Sequence, residues 1–243
     1  MTKHADFSLS TLLKDTWYFF TTHFIGLCAV LLPLLIPLNL ISMAAGFYSN
    51  DEAQILWPAL LLELFAFPLY QGALIFFLAA VIKDEHQNVG QYYKQSMKFW
   101  LPLLVLYLLM GLAIMGGCML LILPGLIVAA RVAFAEFYCL LHEEAPLDAF
   151  KSSWEQSREY QWKILGGLLV IALAIIIPFA VLERLVAAVG LNGTVYTFIS
   201  NLLASIISAC TTIFCFRVFT LHLDAQSSSG GEEVPAQGDA LNE

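Results

Sequence analysis

The chain has 243 residues, of which 60% are hydrophobic and 12% are charged, and its formal net charge is -8. Soluble domains carry about 45–50% apolar and about 25% charged residues, so this composition excludes an ordinary soluble fold and indicates a membrane protein. It also lacks the basic excess that nucleic-acid binding requires. The acidic segment 224–243 is poor in apolar residues, and we expect it to be a disordered tail after a single membrane domain, 1–223.

Long apolar stretches predict an all-α bundle of about six membrane spans, because about 20 helical residues cross the roughly 30 Å hydrocarbon core. The predicted spans cover residues 19–46, 55–82, 99–121, 124–142, 162–184 and 194–221. Either Gly116-Gly117 or Leu123-Pro124-Gly125 can form the turn between the third and fourth spans, and we favour the second. Kinks are predicted within spans at Pro33, Pro37, Pro68 and Pro178.

Positive charges are divided unevenly between the two sides of the predicted spans. With six spans, only Arg184 falls on the side away from the termini. Lys and Arg in short loops are retained in the cytoplasm, so both termini are predicted to be cytoplasmic and the loop 48–57 to lie outside. The bases on the terminal side are Lys3, Lys14, Lys83, Lys94, Lys98, Lys151, Arg158, Lys163 and Arg217.

Each outgoing span is preceded by a short segment with the pattern large apolar, Lys, any residue, Ser or Thr, large apolar. The copies are residues 13–17 (LKDTW), 93–97 (YKQSM) and 150–154 (FKSSW). In the third copy Leu147, Phe150 and Trp154 share one helix face, and Pro146 suits the first turn. We infer three units, each an amphipathic helix at the cytoplasmic interface followed by a transmembrane hairpin. Such helices either bind lipid or a partner, or only anchor the hairpins.

Several segments resemble the YciC-like family of Gram-negative inner-membrane proteins. They are residues 123–127 (LPGLI), 149–154 (AFKSSW) followed by Trp162, and 200–203 (SNLL) leading to Phe216-Arg217. A Pro-Gly pair before a span and then a Ser-Trp helix also resembles the membrane domain found beside some glycerophosphodiester phosphodiesterases. The resemblance implies an inner-membrane location and no catalytic residue, since those phosphodiesterases keep catalysis in a separate soluble domain.

Three charged residues lie inside the predicted spans: Glu63 in the second, and Arg131 and Glu136 in the fourth. A charge at the bilayer centre costs roughly 2.5–3.5 kcal/mol on insertion scales, so we expect each of these residues to have a structural or functional role. Arg131 and Glu63 are predicted at similar depths, where they can form a structural ion pair. The alternative is that Arg131 binds a phosphate or carboxylate headgroup, because its planar guanidinium matches such anions.

A stripe of small and polar residues runs along the sixth span. Such a stripe favours close helix packing, and a second interpretation is that Asn201 lines a polar path, provided that neighbouring spans offer partners at its depth. The stripe consists of Thr197, Ser200, Asn201, Ala204, Ser205, Ser208, Thr211 and Thr212.

Signatures of enzymes, cofactors and metal sites are missing from the sequence. The five Cys residues form no pair with metal-ligand spacing, and we interpret them as small core residues. The leading hypothesis is a non-catalytic inner-membrane protein that organises the envelope or its lipids, with membrane lipids as partners. A carrier for a small solute or lipid, using Glu63, Arg131, Glu136 and Asn201, is the alternative. An intramembrane enzyme has only His142, Glu143 and Glu144 to support it.

Overall fold

The structure, a computed structural model, describes residues 8–48, 52–85, 87–190 and 193–230. Lys3, His86, the loop residue Asp51 and the tail beyond Gly230 lie outside the described residues. The helices are α1 (Leu9–Thr22), α2 (Phe24–Tyr48), α3 (Glu52–Ile82), α4 (Val89–Lys98), α5 (Trp100–Leu120), α6 (Ile122–Arg131), α7 (Ala135–Leu141), α8 (Pro146–Gln156), α9 (Gln161–Val189) and α10 (Thr194–Gly230).

Six helical segments are long and apolar enough to cross a membrane, so the chain is an all-α multi-pass membrane protein as predicted. The first begins at Phe24 and not at residue 19, because α1 is a separate helix that ends before His23. The last helix, α10, continues to Gly230 and includes the first residues of the predicted tail. The segments are Phe24–Ala44, Leu60–Ile82, Trp100–Leu120, Ile122–Leu141, Gln161–Val189 and Thr194–Ser227.

The helices form three units, each a short helix followed by an outgoing and a returning span. Unit 1 is α1 to α3, unit 2 is α4 to α7, and unit 3 is α8 to α10. The returning span of each unit contacts the outgoing span of the next: α3 with α5, α6 with α9, and α10 with α2. Because the last of these contacts joins unit 3 back to unit 1, the three units close into a ring.

Side-chain packing differs between the two ends of this ring. We call the end that holds α1, α4 and α8 the short-helix end, and the end where outgoing spans turn into returning spans the hairpin end. The core lies toward the short-helix end, where Phe134, Phe137, Phe214 and Phe219 are fully buried. Toward the hairpin end, α9 and the start of α10 expose apolar side chains, as Val189 (71%) illustrates.

The turn between α5 and α6 falls at Leu121, whose backbone is extended. The favoured turn at Leu123-Pro124-Gly125 was therefore predicted within a few residues of the observed one. Pro124 and Gly125 themselves lie in the first turn of α6. Beyond this turn the two helices touch at glycine, since a Cβ on Gly125 would come within 2.8 Å of the backbone nitrogen of Cys118. The alternative turn at Gly116-Gly117 was wrong, because both residues lie inside α5.

The fourth span is broken, which corrects the prediction of one continuous helix over 124–142. The first part, α6, ends at Arg131 and the second, α7, begins at Ala135. The break is bonded to α8: Ser153 Oγ accepts from the Phe134 N–H (3.1 Å) and donates to the Arg131 carbonyl (2.8 Å). Ser157 Oγ donates to the same carbonyl at 2.7 Å. These bonds satisfy backbone groups that the break releases inside the protein.

The repeated segments pack through their Ser or Thr. Thr16, Ser96 and Ser153 are all buried, at 3%, 0% and 0% exposure, and the apolar residue that follows each one is exposed. Ser96 Oγ donates to the Leu69 carbonyl (2.8 Å), next to Pro68 in α3. The repeat therefore turns its small polar residue into the bundle and leaves the large residue outside, and in the second and third copies the serine also bonds to another segment.

The tyrosine of the second copy reaches across to unit 1. Tyr93 donates to the Val30 carbonyl of α2 at 2.6 Å, within one turn of Pro33. Burial raises the pKa of Tyr93 to about 12, so its hydroxyl stays protonated and remains a donor at physiological pH. The short helix α4 thus supports both spans of the first hairpin near their prolines.

Candidate functional site

A buried polar cluster lies where the three returning spans meet. Gln71 of α3 donates to Glu136 of α7 (Nε2 to Oε2, 3.4 Å) and to Thr212 of α10 (2.8 Å). Tyr107 of α5 donates to the same Glu136 oxygen at 2.7 Å. One polar side chain from each unit's returning span therefore meets on the axis of the ring, and we call these four residues the axial cluster.

Glu136 is the acidic residue of the axial cluster. It is 9% exposed, and Gln71 and Thr212 are each 8% exposed. No Lys, Arg or His among the described residues lies within ion-pair distance of Glu136. A buried carboxylate without a cation is costly in its charged form, although hydrogen bonds from Tyr107 and Gln71 offset part of that cost. The cluster therefore holds an acidic group whose charge nothing nearby neutralises.

Glu63 and Arg131 do not form the predicted ion pair. Glu63 is exposed and accepts a hydrogen bond from Tyr70 (3.2 Å) on its own helix. Arg131 donates to the Trp154 carbonyl of α8, and its guanidinium carbon lies 4.9 Å from the centre of the Trp154 ring. The reason is the break after Arg131, which turns that residue toward α8 and away from α3.

Arg131 borders a groove at the short-helix end. Phe150, Lys151, Trp154 and Glu155 of α8 line one wall, and Ala113 and Val128 of α5 and α6 line the other; the volume is about 340 Å³. Lys151 is exposed at this groove, and the Nε of Arg131 is buried without a hydrogen-bond partner. The groove thus combines apolar walls with one base and one acid, Lys151 and Glu155, and has the positive charge of Arg131 beside it.

A second groove occupies the matching place beside α4. It measures about 460 Å³ and lies between α3 and α4 with the start of α5. Met97, the repeat position that corresponds to Trp154, lines it and is 72% exposed. The exposed Lys94 and Lys98 belong to the same short helix. The residues lining this groove are Leu62, Phe65, Ala66, Leu69, Met97 and Trp100.

The interpretation that Asn201 lines a polar path gains no support from the described residues. Asn201 is exposed, and the part of the chain that the structure describes offers its side chain no hydrogen-bond partner. Ser208 donates to the Ser205 carbonyl of its own helix. Thr212 is the exception because it bonds across to α3.

Sequence reasoning had included Glu136 and Thr212 but missed their partners Gln71 and Tyr107. Gln71 had a readable signal, since it is a lone amide in a long apolar stretch. Tyr107 had none, because aromatic residues are common in spans. His142, the basis of the enzyme hypothesis, is exposed and packs against Tyr138 and Phe219.

Comparison with known proteins gives one match. The family model described as "Uncharacterised protein family (UPF0259)" matches residues 48–221. That range includes all four residues of the axial cluster and both grooves. No curated protein and no solved structure matches the chain.

Proposed function

The chain belongs to the uncharacterised protein family UPF0259, and we propose that it is a non-catalytic inner-membrane protein that binds anionic phospholipid and so organises lipid at the cytoplasmic face. The groove beside α8 supports this proposal best. Four of its six lining residues are apolar, two of them aromatic, and the other two are Lys151 and Glu155. An acyl chain matches such walls, and a phosphate headgroup matches the lysine and the nearby Arg131.

The orientation of the short helices supports the same proposal. The last position of each repeat is exposed: Trp17 at 62%, Met97 at 72% and Trp154 at 38%. Each of these residues lies three positions after an exposed Lys. Aromatic and Lys side chains together suit the headgroup layer, where the apolar part enters the lipid and the charge stays in water. The nine-to-one distribution of bases supports a cytoplasmic location for this end and for both termini.

Arg131 has a positioning role in this proposal. Its guanidinium lies against Trp154 and binds the Trp154 carbonyl, so it holds one wall of the groove. Its charge adds to the attraction of Lys151 for an anionic headgroup. A cation–π contact of this kind contributes about 0.5–2 kcal/mol, and the larger values apply where water is excluded.

Native mass spectrometry of the protein released from nanodiscs tests the proposal. The nanodiscs contain equal amounts of a zwitterionic and an anionic phospholipid. We expect the wild type to retain the anionic lipid preferentially, and Lys151→Gln and Arg131→Gln to retain less of it. Lys83→Gln is the matched control, since Lys83 is exposed and lines neither groove. Lipid-free spectra from folded wild type, or an equal loss in Lys83→Gln, would remove the proposal.

A carrier for a small solute is the second candidate. The axial cluster favours it, because polar groups between repeated units near the middle of a membrane protein are where transporters bind their substrates. A liposome flux assay with Glu136→Gln separates the two candidates. Solute flux that Glu136→Gln abolishes, with lipid retention unchanged, would select the carrier.

A further inference from the structure

The axial cluster has a chemical property that lipid binding at the grooves does not use. Glu136 is the one acid in the cluster, and its hydrogen bonds reach α3 directly and α10 through Gln71. We propose that Glu136 is a proton-binding site, protonated and deprotonated in the folded protein. This inference does not depend on the lipid proposal.

The groups around Glu136 are consistent with a proton as the ligand. They carry no positive charge, and the arginines on neighbouring elements are engaged elsewhere: Arg217 pairs with Asp15 of α1 at 3.6 Å, and Arg131 contacts Trp154. One proton cancels the single negative charge and needs no further ligand. The groups next to Glu136 are Gln71 from α3, Tyr107 from α5 and Cys215 from α10, with Thr212 of α10 bonded to Gln71, and Tyr70 and Cys139 lie near Tyr107.

A row of side chains leads from Glu136 toward the hairpin end. Glu63 is exposed and lies near the start of the Leu60–Ile82 span, and it accepts from Tyr70. The ring of Phe67 packs edge-on against both Tyr70 (5.3 Å) and Tyr107 (4.8 Å). Phe67 has no polar atom, so the row places Tyr70 and Glu63 on the hairpin side of Glu136 without joining them to it by hydrogen bonds.

Protonation would change the bonding between the units. As a carboxylate, Glu136 only accepts, from Tyr107 and Gln71. As a carboxylic acid it gains an O–H donor that needs an acceptor, and the Tyr107 hydroxyl and the Gln71 amide oxygen belong to the two groups that already bond to it. Taking up a proton from water, with no other reactant, therefore changes the direction of a hydrogen bond that joins α7 to α5 or to α3.

Infrared difference spectroscopy of the protein in nanodiscs tests this inference. A protonated carboxyl has a C=O stretch that a carboxylate lacks. We expect this band to appear in the wild type as the buffer is taken from mildly alkaline to mildly acidic. Glu136→Gln should lose the band, and the matched control Glu63→Gln should keep it.

Each other outcome would overturn the inference. A band present at every pH would make Glu136 a permanently neutral structural acid, and no band at any pH would make it a permanent carboxylate. A pH-dependent band that survives in Glu136→Gln belongs to another residue. If Glu136→Gln does not fold, Tyr107→Phe decides, because removing a hydrogen bond to Glu136 must shift the frequency of its band; an unshifted band rejects the proposal.

Discussion

The short-helix end and the hairpin end of the ring differ in how their side chains pack. At the short-helix end aromatic rings fill the core and polar groups form hydrogen bonds between units. At the hairpin end α9 and the start of α10 expose apolar side chains, among them Ile177 (56%) and Val189 (71%) of α9. In a bilayer such side chains face lipid, which solvates them as well as protein does, so hydrophobicity alone does not draw helices together. Shape and hydrogen bonding then determine where the units hold each other.

The largest expected effect concerns a glycine at the short-helix end. Gly167 of α9 faces Phe214 of α10, and a Cβ there would lie 2.0 Å from the end of that fully buried ring. We expect Gly167→Ala to destabilise the protein by about 1–3 kcal/mol, as overpacking does. Gly166→Ala is the control, because its Cβ would meet only Leu9 at an ordinary 3.4 Å. Titration with a denaturing detergent measures the stability of both variants. Equal stabilities would show that α9 and α10 are packed loosely at Gly167 as well as at the hairpin end.

A smaller loss is expected from the serine at the break in the fourth span. Ser153→Ala leaves the buried Phe134 N–H without its acceptor, while the Arg131 carbonyl keeps Ser157. One unsatisfied buried group costs about 1–3 kcal/mol, and the retained bond places this change at the low end. Ser152→Ala, the partly exposed neighbour, serves as control. Hydrogen exchange at Phe134 should become faster in Ser153→Ala alone; unchanged exchange would mean that α8 does not hold the break.

The smallest effect is expected at the hairpin end. Ile177→Ala removes a side chain that faces lipid, and we expect a change within about 0.5 kcal/mol. Ile171→Ala, six residues earlier on the same helix, removes a side chain that is 7% exposed and should lower stability measurably. The same detergent titration compares the stabilities of the two variants. A large loss in Ile177→Ala would show that another protein surface, and not lipid, covers this end.

Much of the fold follows from the sequence because membrane spans are specified locally. Length, apolar composition and proline placement predicted six spans, three units and a turn within a few residues of Leu121. The short segments were also readable, since each copy carries its own pattern. These features depend on residues that are adjacent in the chain or one helical turn apart.

The features that sequence reasoning missed depend on residues far apart in the chain. No Gly or Pro marks the break at residues 132–134, and the serines that satisfy it lie about 20 residues later. The predicted Glu63 and Arg131 pair failed for the same reason, because depth was counted along an unbroken helix. Gln71 and Thr212 are separated by 141 positions, and no local pattern indicates that they touch.

The break after Arg131 also bears on how the chain enters the bilayer. With 10 residues, α6 reaches about 15 Å, half of the hydrocarbon thickness, and it ends in a charge. Such a segment is a weak insertion signal by itself, so we expect α5 and α6 to be inserted together as one helical hairpin. The serines that satisfy the break lie in α8 and directly after it, and this segment is synthesised afterwards. Unit 2 therefore reaches its final structure only after unit 3 has begun to emerge from the ribosome.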